Sequence, residues 1–493
     1  MASTITVTLL SRYCKGSSKA KCGRRLSVGS GSTLLLSLLS CLFLIACGGV
    51  SANRNIALPP PAAPACATGS NPAEVSVRSQ AILSSATPIP PQFFGFNLHP
   101  QVLQIGTNPY PWPTIPFGAV RLWATETTWN VLNPSLNNYD WTNLDQVLSI
   151  SAQNGQTDFI YTFGVVPPWA SSVPNDQTCV TNNSPAGSCD PPVDVDTTDL
   201  YWKNFVTAIT AHNAQKGFPI HTWEIWNEPD ILIEWNGTAA QMARMAKDAY
   251  TIIKAADPTA LVTTPTPGNA GSGQNIGNWL PGYLSAALSL GGPFADIVTF
   301  HGYVDPSQGD QPEQEITTVN TVTSAIASVP TLSSKPVWDT EGAWGDDTKL
   351  PDPDMQAAYL ARMYLLQWSQ GVSRFYWFQY GNRKTGTLWT PTGGLDPAGE
   401  AYGQLYDWMT GATLTSPCSQ SGSVWTCDFT HGSIQEQAVW DASQTCRSGV
   451  CTTSNFTPST AYTQCSDLAG NKRTFSAGTA VGIGAKPVLL ESQ

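Results

Sequence analysis

The chain has 493 residues, 18 tryptophans, five histidines and a formal net charge of −11. This length exceeds one ordinary domain and suits a large α/β barrel with a small second domain. The acidic charge argues against nucleic acid or another polyanion as a partner, and scattered histidines without a CxxC pair argue against a zinc site.

The first 46 residues have the composition of an export signal. They contain six basic residues, no acidic one and an apolar run from Leu34 to Ala46, which is too short to span a bilayer. Leu44-Ile45-Ala46-Cys47-Gly48 resembles a bacterial lipobox, which implies cleavage before Cys47 and a lipid on that cysteine. An ordinary signal peptide with a chance cysteine is the alternative. We expect an exported protein, either secreted or held at the cell envelope by a lipid that is its only membrane contact.

Composition also divides the rest of the chain. Residues 47–72 are rich in Pro and Ala and predict an extended tether. Residues 73–92 form a segment that can join a terminal β-domain. We place a catalytic barrel at 93–411 and a β-sandwich-like domain at 412–493, where strand-like alternation with turns replaces the helical pattern, as in Thr479–Leu490.

Eight cysteines follow Cys47, and an even number in an exported chain predicts disulfides. Three pairs are close in sequence, namely Cys179–Cys189, Cys418–Cys427 and Cys446–Cys451. Elimination leaves Cys66 with Cys465.

Short apolar runs alternate with amphipathic helical stretches from about residue 93. This alternation predicts βα units and a parallel sheet. The eight predicted strands are Phe93–Leu98, Ala119–Trp123, Asp158–Gly164, Thr222–Asn227, Leu261–Thr264, Asp296–His301, Pro336–Thr340 and Arg374–Tyr380. Eight units favour a (β/α)8 TIM barrel. The alternative is an open doubly wound sheet, which usually has a Gly-rich turn after its first strand, whereas Asn97-Leu98-His99-Pro100 stands there.

Two of these strands end in a glutamate. Glu228 follows strand 4 in Trp226-Asn227-Glu228-Pro229, and Glu341 follows strand 7 in Thr340-Glu341-Gly342. Strands 4 and 7 face each other across a barrel, and barrel active sites lie at the carboxyl ends of the strands. Two converging carboxyl groups suit glycoside hydrolysis, in which one protonates the leaving oxygen while the other attacks carbon or activates water.

These two motifs resemble the acid/base and nucleophile motifs of the clan A glycoside hydrolases, which are retaining (β/α)8 enzymes. Within that clan, family 39 has motifs similar to Phe94-Gly95-Phe96-Asn97-Leu98-His99, Arg121-Leu122-Trp123 and Pro167-Pro168-Trp169-Ala170-Ser171. Family 39 includes β-xylosidases, α-iduronidases and exopolysaccharide-cleaving endoglycosidases. The likeness covers about residues 93–410, and a terminal β-domain is usual in the family.

The resemblance implies a role for each matching residue. Glu228 would be the acid/base, Glu341 the nucleophile, and Asn227 would bond the sugar 2-hydroxyl. Arg121 would lie near the nucleophile and help keep it ionised, while His301 and Tyr303 would bracket it. Further candidates are Trp377, stacked on the sugar, and Trp169 and His99, which either line subsites or pack under loops. Glu224 and Asp339 share strand parity with the two catalytic glutamates and are expected to be buried structural carboxylates.

We therefore predict a retaining glycosidase that cleaves β-linked bonds of an extracellular oligo- or polysaccharide without a metal or organic cofactor. One alternative is an inactive glycan-binding lipoprotein on the same fold, and another is an endoglucanase-type enzyme of the same clan. The complete set of candidate side chains favours an active enzyme. The sugar, the linkage, exo or endo action and the oligomeric state are left open by the sequence.

Overall fold

A computed structural model describes Cys66 and residues 87–181, 184–268 and 276–492. The predicted signal peptide, Cys47, the tether and residues 73–86 lie outside the described residues. Within the described ranges, none of the helices combines the length and the apolar character that crossing a membrane requires.

A curled sheet of eight parallel strands forms the centre of the molecule, in the order β5-β4-β3-β2-β1-β8-β7-β6. A parallel bridge between Thr263 and Ile297 joins the two ends of this order, so the sheet closes as a TIM-like barrel. Its strands are β1 Phe94–Leu98, β2 Ala119–Leu122, β3 Phe159–Thr162, β4 Ile220–Glu224, β5 Leu261–Val262, β6 Val298–Tyr303, β7 Val337–Ala343 and β8 Val372–Tyr380. The predicted fold class is thus confirmed.

Helices follow the strands and cover the outside of the barrel. They are α1 Trp129–Leu132, α2 Thr142–Gln153, α3 Leu200–Lys216, α4 Ala239–Ala256, α5 Ile276–Ser289, α6 Glu315–Ala327, α7 Pro353–Ser369 and α8 Pro397–Met409. Local chemistry sets several of their ends. Thr238 and Gln241 form a capping box at the start of α4, and Gly217 ends α3 in the left-handed conformation.

The barrel interior is apolar at its base and polar at its mouth. Ala119, Ile160, Ile297, Trp338 and Tyr376 form a buried cluster close to the amino-terminal ends of the strands. Further along the strands, the buried residues are Asn97, Arg121, Thr162, Glu224, Thr299 and His301. Burying a polar group costs free energy unless it is hydrogen-bonded. The concentration of buried polar residues at the mouth therefore marks the mouth as the candidate site.

The other strands of the described residues are antiparallel. Short hairpin strands β9 Trp389–Thr390 and β10 Gly394–Leu395 precede α8. One sheet has the order β11-β12-β13-β20-β17-β18, and β14–β15 and β16–β19 form separate pairs. The strands are β11 Thr413–Ser421, β12 Val424–His431, β13 Ile434–Asp441, β14 Cys446–Arg447, β15 Val450–Cys451, β16 Ser454–Phe456, β17 Tyr462–Ser466, β18 Lys472–Thr474, β19 Val481–Ile483 and β20 Val488–Ser492. The run predicted as one stretch, Thr479–Leu490, is divided into two strands because Pro487 has no N–H for the ladder.

All four predicted disulfides are confirmed. Cys179–Cys189, Cys418–Cys427 and Cys446–Cys451 close short loops, and Cys66–Cys465 joins residues 399 positions apart. The N–H of Cys66 also donates to the carbonyl of Gly482 in β19. The segment that contains Cys66 is therefore fixed to the β-domain at this residue.

Candidate active site

The two motif glutamates lie at the mouth of the barrel. Glu341 is within β7, while Glu228 lies in the loop after β4, where its N–H donates to the carbonyl of Thr266 at 2.8 Å. The ladder of β4 ends at Glu224, and a single bridge from Asn227 to Thr266 extends it. One oxygen of Glu228 and one oxygen of Glu341 lie within 4.8 Å of each other. The structure therefore brings together the two carboxyl groups that the sequence singled out.

Arg121 connects the polar residues beneath the two carboxyl groups. Its fully buried guanidinium donates to Glu341 Oε2 at 2.6 Å and to Glu224 Oε2 at 2.7 Å. It also donates to the side-chain oxygens of Asn227 at 2.8 Å and Asn97 at 3.2 Å. Charge-assisted bonds of this kind are short and directional, so Arg121 fixes the position of four side chains from three strand ends.

Glu341 accepts a hydrogen bond on each carboxyl oxygen. Arg121 donates to one oxygen, and the Tyr303 hydroxyl donates to the other at 2.7 Å. Two donors on different oxygens fix the orientation of the carboxyl group. Only 9% of the side chain is exposed, which leaves the group desolvated on most sides and directed to the mouth.

Glu228 has the opposite environment. Burial raises its pKa to about 7, although Arg121 opposes the shift. Its Oε1 is hydrogen-bonded to Nδ1 of His301 at 3.0 Å, and burial lowers the pKa of that histidine to about 4. A neutral histidine adds no positive charge that would favour the ionised glutamate. His301 pairs in register with Glu341, as expected of a residue that brackets it, but its hydrogen bond goes to Glu228.

The backbone around Glu228 is also specialised. Glu228 has φ of +41°, a left-handed conformation that is costly for a residue with a side chain. A Cβ placed on Gly268 would lie 2.8 Å from Glu228 Oε1, so only glycine leaves room for this carboxyl group. The N–H of Gly268 donates to Asp230 Oδ1 at 2.7 Å, which ties the loop after β4 to the loop after β5.

Glu224 is a buried structural carboxylate, as expected. Burial alone would raise its pKa, but Arg121 and hydroxyl donors hold the pKa below its usual value. The hydroxyls of Thr162 and Thr266 donate to its two oxygens at 2.6 and 2.7 Å. Glu224 therefore neutralises Arg121 from inside the barrel.

The aromatic candidates occupy different environments. Trp377 is 0% exposed, its indole N–H donates to the carbonyl of Gly386, and its ring packs on Trp344. A ring without an exposed face cannot stack on a sugar, so this expectation for Trp377 is corrected. Phe378 follows it, is half-buried and lies in register with Asn97, which places it nearer the mouth.

Trp169 and His99 are both half-buried. The indole N–H of Trp169 donates to the carbonyl of Asn133 at 2.9 Å, and its ring packs against Tyr201. His99 stacks on Tyr110, and burial, with a contribution from Arg383, lowers its pKa. Neither side chain forms a bond with the two catalytic candidates, and each keeps some exposed surface.

Two acidic residues of the site were missed in the sequence. Burial and the nearby charges of Glu228 and Glu341 raise the pKa of Glu234 to about 8, while a hydrogen bond from Asn227 opposes the shift. Burial likewise raises the pKa of Asp230 to about 7. Both follow Glu228 in an irregular loop, where no strand or helix period indicates the direction of a side chain. Only the proximity of Glu234 to the motif in sequence could have drawn attention to it.

Two groups of side chains in the described ranges bring potential metal ligands within 4.8 Å of one another. One group contains Cys179 and Cys189, whose sulfurs are joined in a disulfide and cannot bind a metal. The other is formed by Glu228, His301 and Glu341, in which Arg121 already supplies a cation to Glu341. We assign no metal site to these residues.

Comparisons with solved structures identify the same fold in glycoside hydrolases. A family 39 glycoside hydrolase from the gut symbiont Bacteroides cellulosilyticus WH2 is 19% identical, with a TM-score of 0.59 over 82% of each chain. The family 39 enzyme from Xanthomonas axonopodis pv. citri is 16% identical, with a TM-score of 0.55 over 83% of this chain and 95% of its own. A family 30 endoxylanase from Clostridium papyrosolvens C71 is 12% identical, with a TM-score of 0.54 over 83% and 98%.

Comparison by sequence finds fewer relatives than comparison by structure. No curated protein sequence matches the chain. Residues 138–402 match the family described as glycosyl hydrolase catalytic core. The matched range begins just before α2, ends within α8 and includes both motif glutamates, and it spans more than half of the 493 residues. The chain therefore belongs to the glycosyl hydrolase catalytic core family and is a glycosidase.

Proposed function

We propose that this glycosidase hydrolyses β-glycosidic bonds of an extracellular oligo- or polysaccharide with retention of anomeric configuration. The observation that carries the proposal is the short separation of the two glutamates, whose nearest oxygens lie within 4.8 Å. Retaining enzymes have carboxyl groups about 5–5.5 Å apart, whereas inverting enzymes need about 6.5–9.5 Å to admit a water molecule.

The environments of the two groups support different roles. Glu341 accepts bonds from Arg121 and Tyr303, which suits an ionised nucleophile. Glu228, with its pKa raised to about 7 by burial, holds a proton near neutral pH and suits a general acid. Asn227 lies between them, bonded to Arg121, and is the candidate donor to the sugar 2-hydroxyl.

In the first step, Glu341 attacks the anomeric carbon and the bond to the leaving oxygen breaks. The electron pair of that bond goes to the leaving oxygen, which takes the proton of Glu228. A covalent glycosyl ester on Glu341 results. In the second step, the ionised Glu228 takes a proton from water, the water oxygen attacks the same carbon, and the ester bond to Glu341 breaks.

Chain-level features support an extracellular substrate. Four disulfides are typical of proteins that fold outside the reducing cytosol. We propose a lipid on Cys47 as the anchor, on the basis of the lipobox-like sequence around it. The solved enzymes that share the fold include an endoxylanase, and a neutral β-linked glycan is the corresponding proposal for this chain.

The decisive experiment is NMR of the first sugar anomer released from aryl β-glycosides and β-linked polysaccharides. We expect the β-anomer to appear first, and an initial α-anomer would overturn the retaining mechanism. In parallel, Glu341→Ala should abolish hydrolysis. Glu228→Ala should lower kcat by about 10²–10⁴-fold, with partial rescue by azide on activated substrates. A fully active Glu341→Ala enzyme would exclude this assignment of the nucleophile.

A further inference from the structure

Three buried polar side chains lie directly behind the nucleophile, on the helical side of the barrel wall. Asp339 precedes Glu341 by two residues in β7, Glu315 begins α6, and Gln367 lies in α7. All three are 0% exposed. Gln367 Nε2 donates to Asp339 Oδ2 at 2.6 Å and to Glu315 Oε2 at 3.2 Å, so one amide connects two acids.

Asp339 and Glu341 point to opposite sides of the sheet, although a regular strand would put residues two apart on one face. Asp339 contacts Gln367 in the helical layer, whereas Glu341 contacts Arg121 inside the barrel. The pairing of β7 with β8 is shifted between Asp339 and Gly342, and the pairing of β6 with β7 is shifted between Phe300 and His301. These irregularities are what turn Glu341 toward the mouth.

The same carboxylate holds the backbone on both sides of this irregularity. Asp339 Oδ1 accepts the N–H of Glu341 at 3.2 Å and the N–H of Gly302 at 3.0 Å. Gly302 stands between His301 and Tyr303, the residues that contact the two catalytic glutamates. One oxygen of Asp339 therefore connects the amide of the nucleophile to the strand that supplies its hydroxyl partner.

The same cluster leaves no room for a side chain at position 302. A Cβ there would collide with Asp339 Oδ2 and with Glu315 Oε2, and the amide of Gln367 is also close. Both acid oxygens thus face the backbone of Gly302. The carboxyl groups approach each other without a Lys or Arg partner among the ion pairs of the described residues.

Ionising both Asp339 and Glu315 in this buried cluster would cost much free energy, because burial penalises charge and like charges repel. Burial and Asp339 raise the pKa of Glu315 well above its usual range, and burial raises the pKa of Asp339 to about 7. The other titratable groups facing Asp339 are Glu341 of β7 and Tyr364 of α7. The cluster therefore holds a proton at neutral pH.

Unpartnered atoms indicate which acid carries that proton. Glu315 Oε1 and Gln367 Oε1 are both buried acceptors without a hydrogen-bond partner. A proton on Glu315 turns one of these acceptors into a donor. Both oxygens of Asp339, in contrast, already accept hydrogen bonds, as a carboxylate does.

We propose that Asp339 is a positioning residue for the nucleophile and that Glu315 is its neutral partner. Ionised Asp339 holds the amides of Glu341 and Gly302, and these contacts aim the Glu341 carboxylate and the Tyr303 hydroxyl at one reacting carbon. Protonated Glu315 keeps a second charge out of the cluster. This inference rests on the proposed role of Glu341 as the nucleophile.

The first test compares Asp339→Asn with Asp339→Ala in kcat and KM for an aryl β-glycoside. Asn keeps an acceptor oxygen for the two amides, so kcat should stay within about threefold of the parent enzyme. Ala removes the acceptor, and kcat should fall on the order of 100-fold, with KM within about twofold, because small misplacements of a reacting group are this costly. Equal activity of the two folded variants would overturn the proposal.

The second test uses thermal unfolding as a function of pH and does not depend on the Ala variant being folded. The pKa of Glu315 is raised above its ordinary value of 4.5, so its contribution to stability is present below pH 4.5 and is lost as pH rises. Glu315→Gln mimics the neutral acid and cannot ionise. Its Tm should therefore fall less steeply than that of the parent between about pH 5 and 9. Identical slopes would overturn the role of Glu315.

Glu341→Ala, assayed beside these variants, separates the two proposals. If Glu341→Ala is inactive while Asp339→Ala is fully active, only the positioning role is excluded. If Glu341→Ala is active, the proposed nucleophile is wrong, whatever the Asp339 variants show.

Discussion

Surroundings, rather than residue type, give each acidic side chain of the site its chemical role. Glu224, Glu228 and Glu341 lie close together, yet they differ in partners. Glu224 and Glu341 share Arg121, while Glu228 faces a neutral histidine across a 3.0 Å hydrogen bond. Burial without a dedicated cation is what raises the pKa of Glu228 to about 7. The same residue type thus supplies a structural anion, the proposed nucleophile and the proposed acid.

The raised pKa of Glu228 predicts a pH dependence. The acid form donates the proton, so kcat/KM for a substrate with a poor alkyl leaving group should decline about tenfold per pH unit above about 7. A dinitrophenyl leaving group needs no proton, and its decline should be much weaker. The pH profiles of the two substrates measured on the same enzyme check this expectation. Parallel profiles would show that Glu228 is not the acid.

Glu228 should also affect stability in a defined direction. Its pKa is raised above the usual 4.5, so the folded state binds this proton more tightly than the unfolded chain does. The resulting stabilisation is present below about pH 4.5 and is lost as pH rises through about 7. Glu228 therefore makes the fold less stable where its carboxylate is needed for the second step.

At the scale of secondary-structure elements, irregularities in the strands direct the site. The ladder of β4 stops at Glu224, and Asn227 and Glu228 continue along the loop bonded to Thr266. In β7, a shift in pairing separates the directions of Asp339 and Glu341. The catalytic groups thus stand where regular pairing ends, and the neighbouring regular strands hold the backbone in place.

The disulfides differ in how they act on their elements. Cys66–Cys465 closes a connection of 399 residues, and Cys446–Cys451 closes one of five. Chain entropy predicts that replacing both cysteines by serine costs about 6 kcal/mol of unfolding free energy for the first pair and about 2 kcal/mol for the second. Urea unfolding of the two double variants measures this difference. A larger loss for Cys446–Cys451 would show that loop entropy does not govern these bonds.

At the scale of the whole molecule, α7 is shared between the barrel and the β-domain. Every residue from Gln356 to Ser369 is buried, although an ordinary barrel helix keeps one exposed face. Trp368 packs edge-on against Phe429 at 5.3 Å, and the N–H of Cys418 donates to Ser369 Oγ at 2.7 Å. One apolar core runs through both parts of the chain.

Polar contacts reinforce this junction. The indole N–H of Trp440 donates to Glu313 Oε1 at 2.9 Å, and Glu313 also pairs with Arg362 of α7. Lys486 forms an ion pair with Asp354 at 2.6 Å. Loss of the β-domain would expose the apolar face of α7, remove the ion-pair partner of Asp354 and remove the indole donor to Glu313.

Truncation after residue 411 should therefore prevent stable folding. We expect the full chain to unfold in one cooperative transition by calorimetry, and the shortened chain to be insoluble or to lack such a transition. A shortened chain with the Tm and activity of the full protein would contradict this expectation. Trp368→Ala in the full chain is a milder companion variant, expected to lower unfolding free energy by about 3–5 kcal/mol.

The order of the elements and the identity of the central pair could be predicted from local sequence patterns. Eight apolar runs with helical stretches between them are enough to predict the barrel, because hydrophobic periodicity reports local structure. Glu228 and Glu341 could be recognised since each stands at the end of a short apolar run in the sequence. The local disulfides followed from spacing, and Cys66 with Cys465 followed by elimination.

The direction in which each side chain points, in contrast, depends on contacts between distant parts of the chain. Trp377 is closed in by Trp344, Asp339 turns away from Glu341, and Glu234 approaches the catalytic pair from an irregular loop. These outcomes depend on strand register, bulges and packing between segments that are distant in the chain. Side chains alternate between the two faces of a sheet only while strand pairing is regular. Where the pairing shifts, the spacing of residues in the sequence does not predict the face on which a side chain lies. The two candidate glutamates were therefore found by motif, whereas the side chains that surround them required the fold.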